Sequence, residues 1–239
     1  MVGVALFDEI KRLLADRGAA VVGCADLGPL PAEVREGLPR GISIGVALSP
    51  EIVTGIADGP TRAYAAEYER VNALLSRLAE DAAALLRRRG FRAAAGKVTV
   101  DKLDMQTLAT PLPHKTVATR AGLGWVGKCA LLVTTRYGSA LRYNTVLTDA
   151  PLPVGTPVEA SRCGKCTACV EACPAGAPSG RHWQIDQRRD GFFDAFACCK
   201  TAQRLAGKAG IRHTVCGICI AVCPHTKRYT DERRNAERV

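Results

Sequence analysis

The stretch Cys163-Gly164-Lys165-Cys166-Thr167-Ala168-Cys169-Val170-Glu171-Ala172-Cys173-Pro174 spaces its thiols by two, two and three residues and closes on Cys-Pro. A second run, Cys216-Gly217-Ile218-Cys219-Ile220-Ala221-Val222-Cys223-Pro224, keeps the last two intervals and the same ending. A [4Fe-4S] cubane needs four thiolates, and in two-cluster ferredoxins the Cys before Pro ligates the other cluster. The first cluster then takes Cys163, Cys166 and Cys169 locally and Cys223 from the second run. The second takes Cys216, Cys219 and the exported Cys173, and is one ligand short.

In a full motif the position three residues before Cys216 would be Cys; here it is His213. Histidine ligates iron in Rieske centres. The adjacent Cys198 and Cys199 offer thiolate, the usual ligand, from about twenty residues upstream. The spacing alone leaves Cys198, Cys199 and His213 open. Zinc ribbons need two C-x-x-C pairs, which a third Cys at the same interval followed by x3-Cys-Pro fits poorly. Disulfides need an oxidising compartment. The segment Phe7 to Arg17 mixes charges with apolar residues at helical spacing and lacks a signal peptide's apolar core. No apolar run reaches the eighteen or so residues of a membrane span. The expectation is a cytoplasmic protein without a membrane partner, where reducing conditions favour thiolates and clusters.

The 239 residues suffice for one substantial core plus a small module. The formal net charge of +10 favours an acidic partner, but basic and acidic residues are interspersed along the chain. At 5% aromatic content there is no stacking platform for single-stranded nucleic acid. Apolar runs at residues 19–27 and 42–48 read as buried strands, as do Val98-Thr99-Val100, Ala130 to Thr134 and Thr145 to Thr148. From Thr61 to Arg89, Tyr64, Tyr68, Val71, Leu75, Leu78, Ala82 and Leu85 recur every three or four positions: one long amphipathic helix ended by Gly90. Arg88-Arg89-Gly90-Phe91 is read as the end of that helix rather than a twin-arginine signal. Helices and strands mixed in this way make an α/β or α+β domain. The proline-rich stretch Ala150 to Pro157 reads as a linker, placing an α/β cofactor or substrate domain at 1–152 and a ferredoxin-like double [4Fe-4S] domain at 153–239. Cys24 and Cys129, in apolar strand contexts, read as inert buried thiols.

The string Arg120-Ala121-Gly122-Leu123-Gly124-Trp125-Val126-Gly127-Lys128 continues to Leu131-Leu132-Val133, Tyr137-Gly138-Ser139 and Val146 to Leu152, followed by the two cysteine runs. In this it resembles epoxyqueuosine reductase and its short relatives, which are related to the cobalamin-dependent reductive dehalogenases. The resemblance covers about residues 90–230. It implies a corrinoid held in a nitroreductase-like α/β domain beside one cluster, with contacts from Gly122, Gly124, Trp125, Gly127, Lys128, Tyr137, Gly138 and Ser139. The residues themselves allow two readings: glycines through which backbone approaches a flat ligand with Trp125 packed on it, or glycines that make turns beside a strand. Short relatives carry a lone-cysteine segment like Phe196-Ala197-Cys198, which favours Cys198 over Cys199 as the missing ligand.

Two departures stand out. The family's acid, proposed as proton donor in an Asp-x-x-Pro string, falls at Leu108 when matched through Pro111; Asp101 and Asp104 are offset. His114, which titrates near neutral pH, is the candidate catalytic proton donor in its place, or else a structural histidine. Only about fifteen residues follow Pro224, too few for the helical-repeat extension of some tRNA-acting relatives. The expected function is an iron-sulfur oxidoreductase passing electrons from a donor such as ferredoxin or flavodoxin to cobalamin or a small-molecule substrate. The alternatives are a ferredoxin-type carrier docking to a partner enzyme and, more weakly, a tRNA epoxyqueuosine reductase.

Overall fold

Burial at every third or fourth position organises the helices, and unbroken apolar runs the strands. The computed structural model describes residues 2–99, 104 and 106–236. In chain order the elements are α1 (Val2–Asp16), β1 (Val21–Asp26), β2 (Arg40–Ala47), α2 (Pro50–Thr54), α3 (Arg62–Arg88), β3 (Ala93–Ala95) and α4 (His114–Arg120). They continue with β4 (Trp125–Val126), β5 (Leu132–Val133), β6 (Leu141–Thr148), α5 (Ala168–Glu171), α6 (Ala195–Lys208), α7 (Ile218–Ala221) and α8 (Pro224–Ala236).

The chain forms two compact units, each assembled from separated segments. One comprises Met1–Ala47, Val71–Leu123 and Arg142–Val158; the other Leu48–Arg70, Gly124–Leu141 and Glu159–Val239. This differs from the single break expected at residue 152. The proline-rich stretch is no free linker, because the Gly155 amide donates to Cys24 O (2.8 Å) and the Val158 amide to Thr119 O (2.9 Å). Both bonds fasten it within the first unit.

That first unit is α/β, with a four-stranded sheet in the order β1-β2-β6-β3. The β1/β2 pair is antiparallel, from Val21 opposite Gly45 to Asp26 opposite Arg40, and β3 pairs antiparallel with β6. Ile42, Ile44 and Val46 are buried, as the apolar run requires. Ala25, Leu27, Leu38, Val117, Ala121 and Leu147 form a core cluster between the sheet and α4. On α3 the repeat Val71, Leu75, Leu78, Ala82 and Leu85 is buried, and Gly90 beyond it takes φ +85°, a conformation that ends a helix without Cβ strain.

The strand expected at Val98 to Val100 is not formed at Val98 and Thr99, which lie in a bend, and Val100 lies outside the described residues. The strand is instead Ala93–Ala95, whose alanines carry little β preference and are held by pairing with β6. The strand expected from Ala130 shortens to Leu132–Val133 because Ala130 turns into a left-handed conformation, φ +59°.

In the second unit, β4 and β5 form an antiparallel hairpin, with Trp125 opposite Val133. Gly124 sits against it so closely that a Cβ there would lie 2.2 Å from Val133 O. Gly124→Ala is therefore expected to open the hairpin and destabilise the protein by ~1–3 kcal/mol, an overpacking penalty. Urea unfolding of variant and parent measures it; an unchanged midpoint would mean that the hairpin tolerates the side chain.

Candidate metal centre

Thiols from both cysteine runs meet in the second unit. A cavity of about 100 Å³ is lined by Cys163, Cys166, Cys169, Cys219, Cys223 and Cys129, with Gly127, Lys128, Val133, Pro224 and His225 completing the wall. The local fold follows from the spacing. Gly164 takes φ +53°, and the Cys166 amide donates back to Cys163 O (3.1 Å), a tight turn that places both thiols on one side. Cys169 lies on α5, Cys219 on α7, and Cys223 on the turn before α8. The two runs are thus laid out alike, a one-turn helix followed by Cys-Pro, and α5 and α7 pack on each other.

Two side chains preceding the motif hold the first run. Lys128 is 5% exposed, and its Nζ donates to Gly164 O (3.1 Å) and Cys166 O (2.8 Å). Trp125 Nε1 donates to Cys163 Sγ (3.4 Å), and the indole meets the His225 ring edge-on at 5.2 Å. The donor set fits a cubane: the four expected first-cluster thiols line one cavity, with Cys129, Cys219 and His225 also on its wall. The thiols ring the cavity instead of meeting at a point. Among the described residues no three His, Cys, Asp or Glu side chains form a single-ion site.

Cys198 stands apart from this cavity, in a second thiol group. Burial, and then the charges of Cys173, Cys216, Cys199 and Asp194, push its thiol up to about 11. Burial likewise raises Cys216, with Cys173 adding to it. Cys198 sits in the first turn of α6, whose start is fixed by Asp194: its Oδ1 accepts from the Ala197 amide (2.9 Å). Crowded, protonated thiols release their protons when a metal takes their place. His213 is engaged elsewhere, its Nε2 2.6 Å from Glu69 Oε1 and its ring 5.1 Å from Tyr68. Cys219, expected in the second set, lines the first cavity, where Cys129 interacts with both it and Cys169.

The residues expected at a flat cofactor are taken up by the chain itself. Tyr137 packs edge-on against Tyr229 (5.1 Å). Gly138, at φ +56°, lies where a Cβ would be 2.3 Å from the Thr226 amide nitrogen, and the Ser139 amide donates to Thr226 Oγ1 (3.1 Å). Gly127 abuts the Val133 side chain, with Cys163 Sγ 3.6 Å from its Cβ position. Trp125, Gly127, Lys128, Gly138 and Ser139 thus support the thiol loops. Gly122 belongs to the first unit, where its Cβ position is 2.7 Å from Thr156 O.

His114 also lies in the first unit, at the start of α4. Its Nδ1 is 2.9 Å from Thr145 Oγ1 and its Nε2 3.0 Å from Lys97 O. A carbonyl only accepts, so Nε2 carries the proton and Nδ1 accepts from the hydroxyl. Burial holds the ring's pKa below its ordinary value of 6.5. A neutral imidazole with both nitrogens engaged ties α4 to β6. Asp104 accepts from the Gln106 amide (2.8 Å) and Thr107 Oγ1 (2.6 Å), and Asp101 lies outside the described residues.

Residues 162–226 match the family described as a 4Fe-4S double cluster binding domain. The epoxyqueuosine reductase of Pseudomonas aeruginosa is 32% identical over 168 residues, which is 66% of this chain and 43% of that protein. The chain is similar in sequence to the epoxyqueuosine reductases. A solved epoxyqueuosine reductase with an epoxyqueuosine-modified tRNA-Tyr stem loop superposes with a TM-score of 0.62 at 20% identity, covering 93% of this chain and 66% of that one. A reductive dehalogenase studied for B12-dependent dehalogenation gives a TM-score of 0.68 at 20% identity over 95% of this chain and 33% of that one. Such distant structures establish the shared fold. The chain spans less than half the length of the curated epoxyqueuosine reductases it matches.

The sequence reading missed Cys129 as part of the cavity wall, taking it for a strand thiol. Its place directly after Gly127-Lys128, in the string that carries the resemblance to the epoxyqueuosine reductases, was the available signal.

Two predictions follow from this geometry. Cys198→Ala should halve the iron bound after anaerobic reconstitution while His213→Ala leaves it unchanged; iron loss from the histidine variant instead would reverse the ligand assignment. For His114, the unfolded chain binds more protons below 6.5, so the stabilisation is present above that value and is lost as pH falls through the lower folded value. Denaturation midpoints from about pH 7.5 to 5 should fall less steeply for His114→Gln than for the parent; equal slopes would show that the ring is free to protonate.

Proposed function

We propose that this protein is an iron-sulfur reductase of the epoxyqueuosine reductase kind, in which two [4Fe-4S] clusters relay electrons to a reducible group bound by the chain. The observation that carries this is the cavity ringed by Cys163, Cys166, Cys169 and Cys223, joined to sequence similarity that extends well beyond the cysteine module. The proposed first-cluster ligands are those four. Cys173, Cys198, Cys216 and Cys219 are the proposed second set; Cys219 also borders the first cavity beside Cys129, so its place in the second set rests on the motif spacing, and Cys198 is preferred for its position beside Cys173 and Cys216.

When bound, the clusters supply one-electron steps at low potential. The chain's own residues do the positioning: the Gly164 turn orients Cys163 and Cys166, Lys128 fixes that turn, and Asp194 sets the start of the helix that carries Cys198.

Cobalamin is the proposed acceptor, supported by the fold shared with a B12-dependent dehalogenase. A nitroreductase-like first domain belongs to the same reading. Gly122, Gly124, Trp125, Gly127, Lys128, Tyr137, Gly138 and Ser139 are the proposed corrinoid contacts; Trp125, Gly127, Lys128, Gly138 and Ser139 also support the thiol loops, and binding experiments on the variants test the assignment. tRNA returns as a candidate substrate, because a neighbour in fold is a reductase solved with a tRNA stem loop and the net charge of +10 suits an anionic partner. The expectation that weighed against tRNA rested on interspersed charge, sparse aromatic residues and chain length; the neighbour solved with a tRNA stem loop is what brings tRNA back as a candidate. Leu108 stands at the family's acid position, and His114 is tied to Thr145 and Lys97, so protonation of a substrate would draw on another donor. Among the described residues no helix is long and apolar enough to cross a membrane. A cytoplasmic setting and a ferredoxin or flavodoxin donor remain part of the proposal.

The second reading, a carrier that only passes electrons to a partner enzyme, is favoured by the ferredoxin-like layout of α5 and α7. The deciding experiment loads the protein with clusters under anaerobic conditions, adds cob(II)alamin and follows its absorption through gel filtration. Retained corrinoid, followed by conversion of epoxyqueuosine tRNA with a chemical reductant, is the expected result. Corrinoid lost while both clusters stay intact would favour the carrier.

A further inference from the structure

A lysine that is 5% exposed is costly unless an anion answers it. The Lys128 ammonium meets two neutral carbonyls, Gly164 O and Cys166 O. Among the described residues no carboxylate forms an ion pair with it. It lines the first thiol cavity, and its charge reaches Cys169. The anion that suits this position is the cluster itself: a cubane with four thiolates is a dianion when oxidised and a trianion when reduced. A fixed positive charge favours the more negative state. Trp125, donating to Cys163 Sγ, acts in the same direction, since hydrogen bonds to cluster sulfur raise the potential.

The second thiol group faces the opposite sign. Asp194 caps the turn that carries Cys198: its carboxylate accepts from the Ala197 amide (2.9 Å), and its backbone carbonyl accepts from the Cys198 amide (3.2 Å). A carboxylate disfavours the reduced state and offsets the positive end of α6.

We propose that Lys128 and Asp194 are positioning charges of opposite sign, one set against each cluster, which make the cluster at Cys163 easier to reduce than the cluster at Cys198 and so direct electrons from the second to the first. The inference rests on the two-cluster reading above. One electron leaves the reduced second cluster, which returns to its oxidised state, and the oxidised first cluster is reduced. A low-potential one-electron donor then reduces the second again. No proton or bond changes hands.

The test is a redox titration of the reconstituted full chain with dithionite, followed by electron paramagnetic resonance. Two one-electron waves are expected, and the wave that Cys198→Ala abolishes should be the lower one. Lys128→Gln should move the upper wave downward and leave the lower in place, while Lys128→Arg, which keeps the charge, restores it. Asp194→Asn, which keeps the helix cap, should move the lower wave upward.

If Lys128→Gln loses the first cluster and Lys128→Arg retains it, the counter-charge role is upheld, and the Asp194→Asn shift decides the direction of flow. Both waves unmoved at unchanged iron content, or Cys198→Ala abolishing the upper wave, would overturn the proposal. A parent protein that assembles no clusters would overturn the cluster reading itself, a result told apart by its iron content before any titration.

Discussion

A lysine ammonium enclosed beside a wall of thiols is the constraint around which the second unit is arranged. Lys128 reaches the Cys163–Cys166 turn only because the β4–β5 hairpin carries it there, and the hairpin closes only because Gly124 lets its backbone approach Val133. Trp125, on the same hairpin, meets Cys163 and His225. Gly138 and Ser139, just beyond it, seat Thr226 behind Cys223. Residues 124–139 are therefore the bracket that holds both cysteine runs at one cavity. They are also the string on which the resemblance to the epoxyqueuosine reductases is read, and in this chain they form the mount of the thiol cavity.

The parts legible in sequence are those fixed by local spacing. Thiol intervals of two, two and three residues commit a chain to a turn and a single helical turn whatever surrounds them, and α5 and α7 obey. The long helix α3 and the strands β1 and β2 were likewise legible, since three- to four-residue periodicity and unbroken apolar runs are statements about burial. What resisted reading depends on distant partners. Ala93–Ala95 is a strand only because β6 lies beside it, and three alanines announce nothing of the kind. The glycines at 122, 124, 127 and 138 signal close approach, but not to what; here the answer is the chain's own backbone and side chains. His114 had the chemistry of a proton donor, and only its two hydrogen-bond partners reveal a tie between α4 and β6.

Chemistry and charge divide the thiols into two sets more clearly than spacing does. The cavity set is met by an ammonium and an indole N–H, and the helix that carries Cys198 is capped by the Asp194 carboxylate. Such an imbalance would suit the proposed reductase, with one internal destination for its electrons, better than a free carrier. The likeness beyond the cysteine module points the same way, since it spans 66% of the chain.

The interleaving of the two units has a consequence for biogenesis. The chain passes from one unit to the other at residues 47/48, 70/71, 123/124, 141/142 and 158/159. Its iron-sulfur part is therefore no cassette that could be cut away near residue 152 or fused to another enzyme, because two of its three segments would stay behind. Binding of a cluster stabilises whatever fold presents the ligands. Iron supply thus becomes a determinant of the stability of residues 48–70, about a hundred positions upstream of the first cysteine of the motif. Without iron, residues 48–70 would lack the stabilisation that cluster binding lends to the unit they belong to.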